Sequence, residues 1–264
     1  MGNFFRYLGR LLFEFWAYLG ALTGLVQEVC ASIFRYPIRW RLLGEQIVAI
    51  GFGSQAVVIV TGAFTGAVFA AQVYMKFNAL GLSSSVGTLV SLAMCRELGP
   101  VLTAVMLTGR VGAGMAAEIG TMQVTEQVDA LRAMAVHPVD YLVTPRLIAM
   151  IISVPLLIAE SITFGIWAAY VIVVRLYRIE PSFYERQLVA HTEMSDIIFG
   201  MTKGLVFGIL IVLISCHQGL KVQGGSLGVG RATNNSVVIS SLAILIANFF
   251  LTIALNYIWP ISKG

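Results

Sequence analysis

Four charged side chains fall inside long apolar stretches of this 264-residue chain: Arg96, Glu97, Glu160 and Lys203. A charge at the centre of a bilayer costs ~2.5–3.5 kcal/mol on insertion scales, so each needs a partner, a polar cavity or a task. Their types allow three readings. In the first, Arg96, Glu97 and Lys203 form a neutralised knot that only holds helices together. In the second, Glu97 and Lys203 border an outward-facing hydrated cavity that meets a charged headgroup. In the third, Glu97 and Glu160 relay protons or ions through a stand-alone transporter or channel.

Other chemistry finds few residues to carry it. There is no Gly-Lys dipeptide, hence no Walker A loop, and neither a G-x-S-x-G elbow nor an H-E-x-x-H helix occurs. A membrane-embedded lipid-modifying enzyme therefore has no nominated nucleophile. Cys30, Cys95 and Cys216 form no C-x-x-C pair and read as buried structural thiols. His137, His191 and His217 lack metal-ligand spacing.

These charges stand out because so few surround them. Hydrophobic residues make up 58% of the chain and charged ones 11%, against roughly 25% in soluble domains. The mean hydropathy is +0.86. Seventeen Lys and Arg give a net charge of +4, but diluted among apolar neighbours they make no basic face for nucleic acid. This is the composition of a polytopic all-α membrane protein.

The elements that position the charges follow from charge-free stretches. Residues 46–75 carry none, and as a helix they reach about 45 Å, more than the ~30 Å hydrocarbon core. Four further spans are expected at roughly 86–109, 147–174, 197–217 and 232–262. The predicted architecture is an N-terminal interfacial helix and five transmembrane helices, with a coupling helix between spans 2 and 3. It is read as one domain over 1–264, with an interfacial region at 1–44 and the bundle at 45–262.

The first 44 residues differ because their longest charge-free run, 15–27, is too short to span. On a helical wheel Arg6, Arg10, Glu14 and Glu28 form a narrow stripe, with Phe4, Phe5, Leu8, Leu12, Phe15 and Trp16 elsewhere. That pattern suits a helix lying in the interface, with a sixth span as the alternative. It matches neither a secretory signal nor a myristoylation site. Ten Lys and Arg near span ends fall on the side of the N-terminus and five on the other, so the N-terminus is expected inside and the C-terminus outside.

In the inner loop, 111–146, Val124, Val128, Leu131 and Ala135 recur at helical spacing before Pro138. A short amphipathic cytoplasmic helix is expected there, whether as a docking element or an inert connector. At the outer end of the first span Phe69, Gln72, Val73, Lys76, Phe77 and Leu80 share one face. That stripe suits an acyl chain beneath a headgroup; lipid-facing surface with a snorkelling lysine fits the spacing equally. Gly20/Gly24, Gly62/Gly66, Gly204/Gly208, Ser236/Ser240 and Ala243/Ala247 are small-residue pairs of the kind that let helices pack closely.

The runs RELGP (96–100), TGRVGAGMAAEIG (108–120) and TEQVDALRAMAVHP (125–138), with the glycine-rich loop 219–233 and ATNNS (232–236), carry a resemblance. Over roughly 35–258 the sequence resembles the MlaE/YrbE permease family, the membrane subunits of ABC transporters that work with MCE proteins. The resemblance implies a bacterial inner-membrane permease dimer, read as a homodimer, with two cytoplasmic ABC ATPases and a periplasmic MCE ring. It implies phospholipid transport between inner and outer membranes; family members serving sterols or fatty acids leave an alternative cargo open. It implies no cofactor in this chain, ATP and Mg being held by the ATPases, and it makes the inner-loop helix the ATPase contact. Glu118, Thr125, Glu126, Asp129 and Arg132 become the coupling candidates. Phe69, Gln72, Val73, Lys76, Phe77, Leu80, Glu97 and Lys203 become the candidates for the lipid cavity.

Overall fold

Apolar runs this long can satisfy their backbone groups in a bilayer only as helices or a closed barrel. Here they are helices, with no strand among the described residues. The computed structural model describes residues 2–35, 39–82 and 85–258. The side chains of the expected N-terminal stripe, Arg6, Arg10 and Glu14 with Phe4, Phe5, Leu8, Leu12 and Phe15, lie outside that description, as do residues 259–262.

In chain order the described elements are α1 (Gly2–Arg35), α2 (Trp40–Ala79), α3 (Val86–Val124), α4 (Gln127–Ala133) and α5 (Val139–Leu176). Then come α6 (Pro181–His191), α7 (Met194–Leu220) and α8 (Gly225–Ile258). Helices α2, α3, α5, α7 and α8 are the five that are long and apolar enough to cross a membrane. The chain is a multi-pass membrane protein.

The spans stand in a row, α2 against α5, α5 against α7 and α7 against α8, and α3 crosses all four. The small-residue pairs explain the closeness. A Cβ on Gly62 would lie 2.6 Å from the Ser161 carbonyl oxygen, and one on Gly66 would run into the Gly165 backbone. Gly204 faces Ile158 and Pro155 of α5 just as tightly, and Gly208 faces Met150 and Val154. Ser236 bonds Ser215 at 2.8 Å between α8 and α7. Without a hydrophobic effect between helices in lipid, this contact area is what holds the row together. Gly20 and Gly24 differ, with open space around both.

Two boundaries depart from expectation. The inner loop is not a loop until Val124, because α3 continues through residues 111–124. Its glycines are contact surface there: Gly112 abuts Ser215, and Gly120 abuts Val222 and Val229. Likewise the glycine-rich run 219–233 is mostly helix, since α8 starts at Gly225. Only Gly224 (φ 85°) and Gly225 (φ 69°) take the left-handed backbone that reverses the chain.

The connection before α7 holds a helix that sequence reasoning missed. In α6, Tyr184 is buried against Gly87 and meets Tyr170 edge-on at 5.8 Å. Burial pushes the Tyr184 phenol up to about 12, so it stays neutral. Helix α1 docks through its second half. Leu25 and Val29 are buried, Tyr18 meets His217 at 5.1 Å, and the Thr144 hydroxyl donates to Ser32 at 3.0 Å. Of the cysteines, Cys95 and Cys216 are buried, but Cys30 on α1 is exposed, correcting its reading as a buried thiol.

Candidate functional site: a sealed charge network and an inner coupling end

The run RELGP does not continue α3 as a plain α-helix. Met94–Leu98 forms a π-helical turn, whose extra residue sends consecutive Arg96 and Glu97 to different partners. Arg96 Nε donates to Asp196 Oδ1 at 2.6 Å, and Arg96 Nη1 donates to Asn256 Oδ1 at 2.8 Å. Its guanidinium lies 4.7 Å from the centre of the Phe199 ring. Lys203 Nζ reaches the same ring at 5.0 Å.

Lys203 is completely buried, and its ammonium has an acceptor for each proton: Glu97 Oε1 at 2.9 Å, the Arg96 carbonyl at 2.8 Å and Thr252 Oγ1 at 2.8 Å. Glu97 Oε2 accepts from Asn248 Nδ2 at 3.0 Å. Asn248, Thr252 and Asn256 stand four residues apart, a polar ladder on the inward face of α8. The four charges cancel. Arg96, Asp196 and Lys203 are sealed, with side-chain exposures of 7%, 5% and 0%, whereas Glu97 retains 39%. Glu97 is the member of the network open to the outside.

Sequence reasoning found Arg96, Glu97 and Lys203 and in one of its readings paired them among themselves; Glu97 and Lys203 do pair. Arg96 is taken by Asp196 instead. Asp196, Asn248, Thr252 and Asn256 were missed, although three polar residues at four-residue spacing in an apolar span were a legible signal. Glu160 does not join the network; it lies on α5 facing α2.

The stripe on α2 divides. Phe69, Val73 and Phe77 pack, half-buried, on the cluster of Val86, Val90, Val173 and Tyr184, while Gln72, Lys76 and Leu80 are exposed. Within one chain α2 and α8 are opposite ends of the row, so this stripe and the α8-facing charges are not brought together.

At the other end of α3, the coupling candidates separate by what they already hold. Glu118 Oε2 lies 2.8 Å from Arg146, a buried guanidinium at the start of α5 that also donates to the Leu142 carbonyl. Thr125 closes α3 by donating to the Thr121 carbonyl and accepts from Gln127 Nε2 at 3.0 Å. Asp129 and Arg132 pair with each other at 2.8 Å on the surface of α4. Glu126 is exposed, with left-handed backbone (φ 60°). A cavity of about 590 Å³ opens beside these groups, bordered by Glu45, Glu118, Gln127, Tyr141 and Arg146.

Five helices able to cross a membrane, a small helix set between two of them and a buried charge network are the framework of a multi-pass membrane protein. The chain belongs to the MlaE permease family of ABC transporters, whose family model, described as Permease MlaE, matches residues 43–254. It is 41% identical over 250 residues to a probable ABC transporter permease protein of Rickettsia felis, covering 95% of this chain and 96% of that one. A probable ABC transporter permease of Synechocystis sp. is 43% identical over 231 residues, covering 88% and 87%. The Arabidopsis thaliana protein trigalactosyldiacylglycerol 1, chloroplastic, is 38% identical over 225 residues, covering 85% of this chain and 64% of that one.

Proposed function

We propose that this permease moves phospholipids between the inner and outer membranes of a bacterium. Its partners in this reading are two cytoplasmic ATPases, a periplasmic MCE ring and a second copy of itself. The observation that carries lipid as cargo is the network's asymmetry: with Arg96, Asp196 and Lys203 sealed, Glu97 is the one charge left partly exposed, and it is bonded to α8, whose outward face is apolar. The plant relative, named for a diacylglycerol glycolipid, agrees with such a cargo. A proton relay is disfavoured because Glu97 is fixed by Lys203, Asn248 and Thr252 and makes no bond to Glu160.

The second copy is assigned to the exposed face of α8, where Leu242, Leu245, Ile246, Phe249 and Phe250 stand outward. There it would set two Glu97–Lys203 pairs about one cavity. The ATPase is assigned to α4 and Glu126, on the side given to the cytoplasm by the excess of Lys and Arg. Closure of the ATPases would squeeze the cavity and expel a lipid. The test is purification of the intact complex from its membrane. Co-elution of an ATPase and an MCE protein with bound phospholipid, and ATP-dependent lipid transfer, are expected; a chain that purifies alone and transfers nothing overturns the proposal.

A further inference from the structure

The end of α1, the connection 134–138 that follows α4 and the first turns of α5 enclose a cavity of about 120 Å³. Arg39, His137 and Asp140 line it at the end of the span. Arg39 is always charged, and its guanidinium rests on the Tyr141 ring at 5.1 Å. Among the described residues that guanidinium has neither an acid partner nor a hydrogen-bond acceptor. The side chain of Asp140, half-buried at the start of α5, has no partner there either, so the two groups line one small cavity without pairing. Ser32 is only 5% exposed; it accepts from the Thr144 hydroxyl at 3.0 Å and donates its own proton to no described residue. The apolar lining, Ile33 and Ile148, is partly buried against the core. Ile148 lies eight residues beyond Asp140, about 12 Å deeper into the span at ~1.5 Å per residue.

We infer that this cavity holds the zwitterionic headgroup of a phospholipid from the adjoining leaflet. The phosphodiester lies on Arg39 and the Ser32 hydroxyl, the ammonium on Asp140, and one chain leaves along Ile33 and Ile148. A guanidinium meets phosphate oxygens with paired N–H groups, and the buried Ser32 hydroxyl lacks only an acceptor. Arg39 and Asp140 balance, so a headgroup carrying both signs fits where a net anion gains no net attraction. Size limits what enters: a whole-ligand site takes about 300–1,000 Å³, so this one admits a headgroup and leaves the chains outside. The lining follows the order of a bilayer, polar at the end of the span and apolar toward its middle. A lipid held there ties α1 to the connection behind α4. The site is distinct from the Glu97–Lys203 network and does not rest on lipid transport.

The test uses the intact purified complex in nanodiscs of a phosphate-free galactolipid. Trace phosphatidylethanolamine or phosphatidylglycerol is added with the same photoreactive group near the glycerol, and labelled peptides are read by mass spectrometry. Phosphatidylethanolamine should label residues 30–33 and 144–149 more than phosphatidylglycerol does. Arg39→Ala should lower that labelling about ten-fold, the smallest loss expected for a hydrogen bond to a charged group. Asp140→Asn should bring the ethanolamine lipid down to the level of the glycerol lipid and leave the latter unchanged. Millimolar inorganic phosphate should displace neither. Equal labelling by the two lipids on the wild type, or no effect of Arg39→Ala, overturns the assignment. So does displacement by free phosphate, or crosslinking of these segments to another protein chain in place of lipid. If Arg39→Ala fails to assemble, the comparison of lipids on the wild type still decides. Labelling without lipid transfer counts against the transport proposal alone, and transfer without labelling counts against the cavity alone.

Discussion

Asp196 holds Arg96 with one carboxylate oxygen and closes the first turn of its own helix with the other. Oδ1 lies 2.6 Å from Arg96 Nε, and Oδ2 accepts the Glu193 backbone N–H at 3.1 Å. One side chain therefore fixes both where α7 begins and where α3 delivers its charges.

Asp196→Ala should be severely destabilising, by about 3–5 kcal/mol, because it leaves a buried guanidinium without its anion. Asp196→Asn keeps an acceptor and should lose less. Thermal unfolding of the purified variants checks this; a wild-type midpoint for Asp196→Ala contradicts it.

Glu97 is the more open partner, so its variants separate architecture from transport. Glu97→Ala strands the buried Lys203 and should cost more than Glu97→Gln, which keeps a polar group. Complex yield and lipid transfer should be measured on one preparation. Low yield in both variants means a structural knot. Normal assembly with impaired transfer means a working group, and normal transfer by Glu97→Ala excludes an essential role.

At the inner end the coupling candidates should behave unequally. Glu126→Lys removes no internal partner, and reversing Asp129 breaks only an exposed pair with Arg132, worth about 0–1 kcal/mol. Both should fold normally while weakening ATPase association or uncoupling hydrolysis. Glu118→Lys should instead lower stability itself, because it faces the buried Arg146. Normal complex assembly and lipid-stimulated hydrolysis in both the Glu126 and Asp129 variants would remove α4 from the coupling role.

Gly66→Leu should abolish folded protein by forcing α2 off Gly165, whereas Gly20→Ala should be neutral or slightly stabilising in its open helical position. Detergent-extracted yield and melting temperature give the comparison. A tolerated Gly66→Leu would mean the α2–α5 contact is not the one described.

Cysteines placed at Gly9 and Val26 should both be labelled only from the cytoplasmic side. The contacts of α1 favour this outcome: Tyr18 meets the end of α7, and Ser32 meets the start of α5, two span ends on the same face of the bundle. Labelling of either from the periplasm in intact cells would overturn the interfacial placement.

The first and last spans were legible because a charge-free run longer than the bilayer has few other fates, and the middle three because only one or two charges interrupt each apolar stretch. The in-span charges were legible because each is expensive there. What sequence reading missed has equally physical causes. Asp196 sits at the very start of α7, where a carboxylate looks like an ordinary end-of-span charge. Among the described side chains of α6, Tyr184 and Leu188 are the ones that pack on the core, too few for a periodic signal. Glycines at 109–120 look like flexibility, yet Gly112 and Gly120 are where neighbouring helices touch. Which acid pairs with which base depends on the π-turn at Met94–Leu98, a local change of pitch that no residue type announces.

Helix α3 is one 39-residue rod running from beside Tyr184 to the turn before α4. Glu97 and Glu118 lie on it about 32 Å apart at ~1.5 Å per residue. Every other span touches the helix that joins these two carboxylates, so neither end can shift without moving a contact shared with the rest of the bundle.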